Sequence, residues 1–198
     1  CVTSWAHPAS TFFVHAESAS GIVNPLEDIA ALAKQLGVLT IVDAVASVGG
    51  HDLNVDECGI DIVVIGPQKA LAGPAGVSAI AISPKAWQFF EHENAPRNSI
   101  LSIIDQKEQW LDTGRGALPG TPSPLEFFAL EAALHRLEKE GIGATIARHR
   151  ATANQTRHAL IAGGLQLWVP DDQGSNLVTT FRLAVGTDRT AFLHACNK

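Results

Sequence analysis

The stretch Asp61 to Gly76, DIVVIGPQKALAGPAG, constrains the chain more than any other. Its four consecutive β-branched residues, Ile62 to Ile65, predict a strand buried on both faces, and Gly66-Pro67 ends that strand abruptly. Lys69 then stands just past the strand's end, among Ile65, Ala70, Leu71, Ala72 and glycines. Two readings are open for it. As most loop lysines do, it snorkels into solvent; or it is partly buried, and burial favours the neutral, nucleophilic amine.

A second apolar run, VLTIVDAVAS, begins at Val38 and reaches a carboxylate, Asp43, at its C-terminal end. Upstream, Thr11 to His15 (TFFVH) is a third β-rich run. Between the two the spacing turns helical. Leu26, Ile29, Ala30, Ala33 and Leu36 share one stripe, with Asn24 expected as N-cap, Pro25 in the first turn and Gly37 as the stop. Strand, helix, strand is a βαβ unit, whose right-handed crossover makes the strands parallel. The loops after Val14 and Val42 then open on one edge of the sheet, where open α/β sheets bind ligands. Ser18, in the polar loop Glu17 to Gly21, is thereby predicted to share a cleft with Asp43. Plainer readings stand beside this one: Ser18 as a turn serine bonded to its own backbone, and His15 as a satisfied buried histidine. A lysine and an acid reaching into one cleft suit Schiff-base chemistry on pyridoxal phosphate, the lysine holding the aldehyde and the acid the pyridinium nitrogen. Lys69 and Asp43 fit those roles.

The motifs HAESASG, VDAVASVGG and GPQKALAGPAG, with their mutual spacing, resemble class V pyridoxal-phosphate aminotransferases of the alanine–glyoxylate, serine–pyruvate and pyridoxamine–pyruvate types, from about Phe12 to about Arg182. The resemblance implies a fold type I large domain, an α/β architecture with a mostly parallel sheet and flanking helices, followed by part of a small α+β domain. It implies Lys69 as Schiff-base anchor and proton carrier and Asp43 on the pyridinium nitrogen. Ser18 would lie near the ring, and Gln68 and Thr121 at the phosphate, Thr121 across a homodimer. The implied reaction moves an amino group from a small amine or amino acid to a 2-oxo acid such as pyruvate or glyoxylate. Because the family is nearly twice this long, the resemblance implies a partial chain, with the glycine-rich phosphate loop and the carboxylate-binding arginine outside it. One departure is Leu118, where the family has an aromatic residue, often tyrosine; the chain has no tyrosine. Rival readings are a non-catalytic dimerisation module and another class V activity such as a lyase or desulfurase. Against desulfuration, Gln68 stands where desulfurases have histidine.

Composition narrows the partners. The 198 residues are 46% hydrophobic, which supplies a core, and carry a net charge of −6 without a basic cluster, which argues against nucleic acid or anionic membrane. Cys1, Cys58 and Cys196 have no metal-like spacing, so no metal site is expected, and an odd, scattered set suits a reducing compartment. With no apolar run approaching a membrane span, a cytoplasmic location is expected.

Further along, Val77 to Ile82 reads as a strand, Lys85 to Glu93 as a short helix, and Asn94 to Gly120 as a long irregular segment, which the resemblance implies lies near a dimer contact. GTPSP then opens an amphipathic helix with Leu125, Phe128, Leu130, Ala133, Leu134 and Leu137 on its apolar side. Thr121 there is either a capping residue, the commoner case, or a phosphate donor. The glycines at 141 and 143 divide a cofactor-binding domain, 1–141, from a small domain, 142–198. A helix from Ala144 to Ala162 and two strands follow, with Arg148, Arg150 and Arg157 read as a solvated face.

Overall fold

A computed structural model describes residues 10–90 and 97–196; Cys1, Asn94 and the expected helix end at Glu93 lie outside the described residues. In chain order the elements are β1 (Ser10–Val14), β2 (Ala16–Glu17), β3 (Ile22–Val23), α1 (Leu26–Gln35), β4 (Leu39–Asp43), α2 (Val55–Cys58), β5 (Ile62–Ile65), β6 (Ala79–Ile82), α3 (Pro84–Phe90) and α4 (Ile103–Gln106). After a π-helical turn at Lys107–Leu111 come α5 (Pro124–Glu140), α6 (Ile142–Ala162), β7 (Gln166–Leu167), β8 (Phe181–Arg182) and α7 (Arg189–Cys196).

The central sheet has the order β1-β4-β5-β6. β1 runs parallel to β4, from Ser10↔Leu39 to Val14↔Asp43, and β4 runs parallel to β5, while β6 is antiparallel. The βαβ unit is therefore present, and the C-terminal ends of β1, β4 and β5 meet at one edge. α1 lays Leu26 and Ala30 on Val42, Ala44 and Val63, with Ile60 completing this cluster. At the opposite end of β5, buried Asp61 accepts the Thr40 N–H (3.0 Å), the Ser83 hydroxyl (3.2 Å) and the Lys85 ammonium (3.1 Å), tying β4, β5 and α3 together.

Several local expectations change. Asn24 is not the N-cap of α1: Pro25 is, and Asn24 Nδ2 instead donates to the Val14 carbonyl (2.7 Å), fixing the end of β1. The segment expected to be irregular contains α4, capped by Ser102, and the π-helical turn. Arg97 pins it through Glu108 (Nη2 to Oε1, 2.9 Å) and Asp105 (3.6 Å). α6 starts at Ile142, directly after α5, so the break is the single residue Gly141, whose φ of +84° suits a residue without Cβ. The apolar side of α5 is uncovered, with Leu125 79% and Phe128 66% exposed and Ala133 buried. Among the described residues no helix is long and apolar enough to cross a membrane.

Candidate active site

Lys69 follows β5 in a turn that folds on itself. The Gly73 N–H donates to the Pro67 carbonyl (2.7 Å), the Ala72 N–H donates to the Lys69 carbonyl (2.9 Å), and Arg136 of α5 donates to the Leu71 carbonyl (3.3 Å). Leu71 is buried, so the turn is anchored on one side and presents Lys69 on the other. The lysine is exposed, which corrects the expectation of partial burial. The strand's apolar run stops four residues short of Lys69, and the intervening Gly66-Pro67 turn carries it out of the sheet's interior.

Ser18 occupies the turn after β2. That turn is held by Glu17, whose Oε1 accepts the Ala19 N–H (2.8 Å), and by Ser20, whose Oγ accepts the Ile22 N–H (3.3 Å). The turn's own hydrogen bonds thus come from Ser18's neighbours, and Ser18 faces a cleft of about 600 Å³ together with Lys69, Ala46 and Ala70. The far wall is the stripe His149, Thr152, Ala153 and Thr156 of α6, joined by residues 176–179. Ser18 and Lys69 line one cleft, whereas Asp43, which was expected to share it with Ser18, is not among its lining residues.

The other three expected residues lie outside that lining. Asp43 is half-buried at the end of β4, in register with Val14 and Val64, and its Oδ1 accepts the Val45 N–H (2.9 Å). It shares the sheet edge with Lys69, one strand away. Gln68 is exposed and folds its amide back over Gly66, Oε1 standing 2.5 Å from where a Cβ would be. Thr121 is exposed ahead of α5 and does not cap it: Ser123 is the N-cap residue and makes no side-chain cap bond. The first turn of α5 already holds a carboxylate, Glu126, which accepts the Gly76 N–H (3.2 Å).

Two further residues depart from expectation. Arg157 is not on a solvated face; it is 5% exposed, donates to the Ser175 carbonyl (3.1 Å) and Asn154 Oδ1 (2.8 Å), and pairs with Asp171. Arg148 and Arg150 do lie at the surface, paired with Glu140 and Asp52. His15 is buried as read, but its Nδ1 has no hydrogen-bond partner. Burial holds the His15 pKa below the ordinary imidazole value, and burial, then Arg148, lowers that of His149. The α6 wall was missed because its residues are polar or small. Its signal is the i, i+3, i+4, i+7 spacing of His149, Thr152, Ala153 and Thr156, a helical face independent of hydrophobicity.

Of the five residues expected around pyridoxal phosphate, two, Lys69 and Ser18, line the cleft. A cleft of about 600 Å³ is within the usual range of roughly 300–1,000 Å³ for small ligands, and an exposed amine reaches it from a strand end with a carboxylate on the neighbouring strand. The chain belongs to the class V aminotransferase family, whose model it matches over residues 7–196. It is 37% identical over 194 residues to the pyridoxamine–pyruvate transaminase of Mesorhizobium japonicum, covering 96% of this chain and 49% of that one. To the rabbit (Oryctolagus cuniculus) alanine–glyoxylate aminotransferase it is 32% identical over 166 residues, 83% of this chain and 42% of the relative. The crystal structure of pyridoxamine–pyruvate aminotransferase from Mesorhizobium loti superposes with a TM-score of 0.84 at 36% identity, covering 91% of this chain and 46% of that one. That of alanine–glyoxylate aminotransferase from Nostoc gives 0.87 at 27%, covering 93% and 49%. The chain thus spans about half the length of the relatives it matches, and its sheet with flanking helices is that of fold type I aminotransferases.

Proposed function

We propose that this protein is a pyridoxal-phosphate-dependent aminotransferase, moving an amino group from a small amine or amino acid to a 2-oxo acid such as pyruvate or glyoxylate. The observation that carries the reading is the presentation of Lys69 and Ser18 to one cleft at the sheet edge where β4 also ends on Asp43. The relatives named for pyruvate and glyoxylate transamination support the acceptor class. Pyridoxal phosphate, when bound, supplies an aldehyde that condenses with an amine and a ring that withdraws electrons from the carbon losing its proton.

In this reading Lys69 would hold the aldehyde through its Nζ, and the same Nζ would move the proton at the substrate Cα. Its exposure leaves its Nζ able to move. Asp43 would hold a proton on the ring nitrogen, its carboxylate oriented by the Val45 N–H donated to Oδ1. Ser18, on the cleft wall, would lie beside the ring. Gln68 would hold the phosphate through its side-chain amide. Thr121, exposed and not engaged as a cap, serves the phosphate of a partner subunit. What supports a homodimer is the uncovered apolar side of α5 next to Thr121. Gly141, which breaks α5 from α6, supports a boundary between a cofactor-binding domain, 1–141, and a small domain, 142–198. Free Cys58 and Cys196 support a cytoplasmic location.

The test is the intact protein mixed with pyridoxal phosphate and treated with borohydride. One covalent adduct per chain is expected at Lys69, and none in Lys69→Ala; an adduct at full stoichiometry in Lys69→Ala overturns the assignment. A panel of amines with pyruvate and glyoxylate then identifies the substrate pair.

A further inference from the structure

The wall of the Lys69 cleft formed by residues 176–179 is a strap tied at both ends. At its start the Ser175 N–H donates to the Gly21 carbonyl (2.8 Å), and Gly174 bridges to Ile22. At its end the Thr180 hydroxyl donates to the Ser20 carbonyl (2.6 Å). Its middle is held by the loop after β4. Asn176 Nδ2 donates to the Gly50 carbonyl (2.7 Å), and the Leu177 side chain fills the space a Cβ on Gly50 would occupy, 2.4 Å away. His51 completes the attachment, its Nε2 accepting the Asn176 backbone N–H (3.1 Å) and lying 3.2 Å from Ser175 Oγ.

That nitrogen works only with its lone pair. A ring nitrogen that accepts an N–H carries no proton, so the neutral tautomer has its hydrogen on Nδ1. Ser175 Oγ accepts the Leu177 N–H (3.1 Å), which leaves its own hydrogen to donate to the same Nε2. Protonating Nε2 would set two N–H donors against each other and strand the Asn176 amide. We propose that His51 is a positioning residue: its unprotonated Nε2 latches the strap onto the loop after β4 and so sets the wall against which substrate packs beside Lys69. The role rests on the reading of that cleft as the reaction site.

The surroundings favour the required state. His15 faces His51 with ring centroids 5.9 Å apart. Burial first, then His15, Arg150 and Arg157, with Asp52 opposing, bring the His51 pKa down to about 4. At neutral pH the latch is therefore closed.

Hydrogen exchange of the intact protein tests this without cofactor or turnover. In His51→Phe, amides of the strap peptide, 175–180, should exchange about tenfold faster, the loss of roughly one hydrogen bond, while the β4 peptide stays protected. His51→Gln, whose Oε1 accepts but does not take up a proton, should keep the strap protected. Between about pH 7.5 and about pH 4.5, after correction for intrinsic rates, wild type should loosen and His51→Gln should not. In the loaded enzyme, His51→Phe should raise KM for the amino substrate several-fold with kcat within about twofold. Unchanged strap exchange in His51→Phe overturns the latch. Should His51→Phe lose β4 protection as well, His51→Gln decides: a protected strap with a flat pH response supports the latch, and a loosened strap or an unchanged pH response overturns it. Failure here leaves the transamination reading standing, whereas an intact latch with no borohydride-trapped adduct at Lys69 overturns that reading alone.

Discussion

α1 and α5 are both amphipathic by sequence, and the structure treats them oppositely. α1 buries Leu26, Ala30 and Ala33 under the sheet's core, whereas α5 buries Ala133 and leaves Leu125, Phe127 and Phe128 in solvent. Periodicity defines a face in both helices. What covers the face is decided by topology: the βαβ crossover delivers α1 onto its own sheet, and α5 is tied to the sheet region by Glu126 and Arg136 on another side.

That contrast yields its largest test in a pair of truncations. Leu26→Ala should cost about 2–5 kcal/mol in urea unfolding, since it empties a filled site. Phe128→Ala should change the stability of dilute protein by less than about 0.5 kcal/mol. If α5 pairs with a second copy, the Phe128→Ala effect grows with protein concentration and that of Leu26→Ala does not. Equal, concentration-independent losses would mean that α5 is covered within its own chain, and the comparison would break.

A smaller effect separates two arginines of α6. Arg157→Ala leaves the buried Ser175 carbonyl without its charged donor and should cost about 1.5–3 kcal/mol. Arg148→Ala, at an exposed pair, should leave the urea midpoint unchanged. Similar shifts for both would show that Arg157 is solvated after all.

A third contrast concerns pH. His51 and His15 have pKa values lowered in the folded state, so below about pH 6.5 the unfolded chain binds more protons. Stability present above that pH should decline as pH falls, for His51 until about 4, and should recover as pH rises. His51→Gln should flatten part of this slope in urea midpoints taken across the range. A slope unchanged in the variant would assign the dependence to His15 and His149.

The same contrast explains what the sequence disclosed. β4, β5 and the Lys69 turn were legible because continuous apolar runs and Gly66-Pro67 are local signals. The crossover rule gave the parallel pairing of β1 and β4, with Asp43 at the end of β4, but not the composition of the cleft, which takes in Ser18 and leaves Asp43 outside its lining. The burial of Arg157 was not legible, because it depends on the Ser175 carbonyl, brought to it by tertiary folding. Nor was the α6 wall, whose His149, Thr152 and Thr156 stripe looks like any solvated face until residues 176–179 stand opposite. Of the two readings open for Lys69, its apolar neighbours favour burial only while their direction is unknown: Leu71 turns inward and the lysine outward.

A rotation at Gly141 would move α6 as a lever. A helix of 21 residues at about 1.5 Å per residue extends roughly 30 Å from its fulcrum, and Thr156 lies about twice as far along it as His149. A tilt of about 5° taken up at Gly141 would therefore swing Thr156 by roughly 2 Å and His149 by roughly half as much. The gap opposite Lys69 would then change as a taper, narrowing first at the Thr156 end, so that one backbone angle far from the lysine would grade the gap along its length.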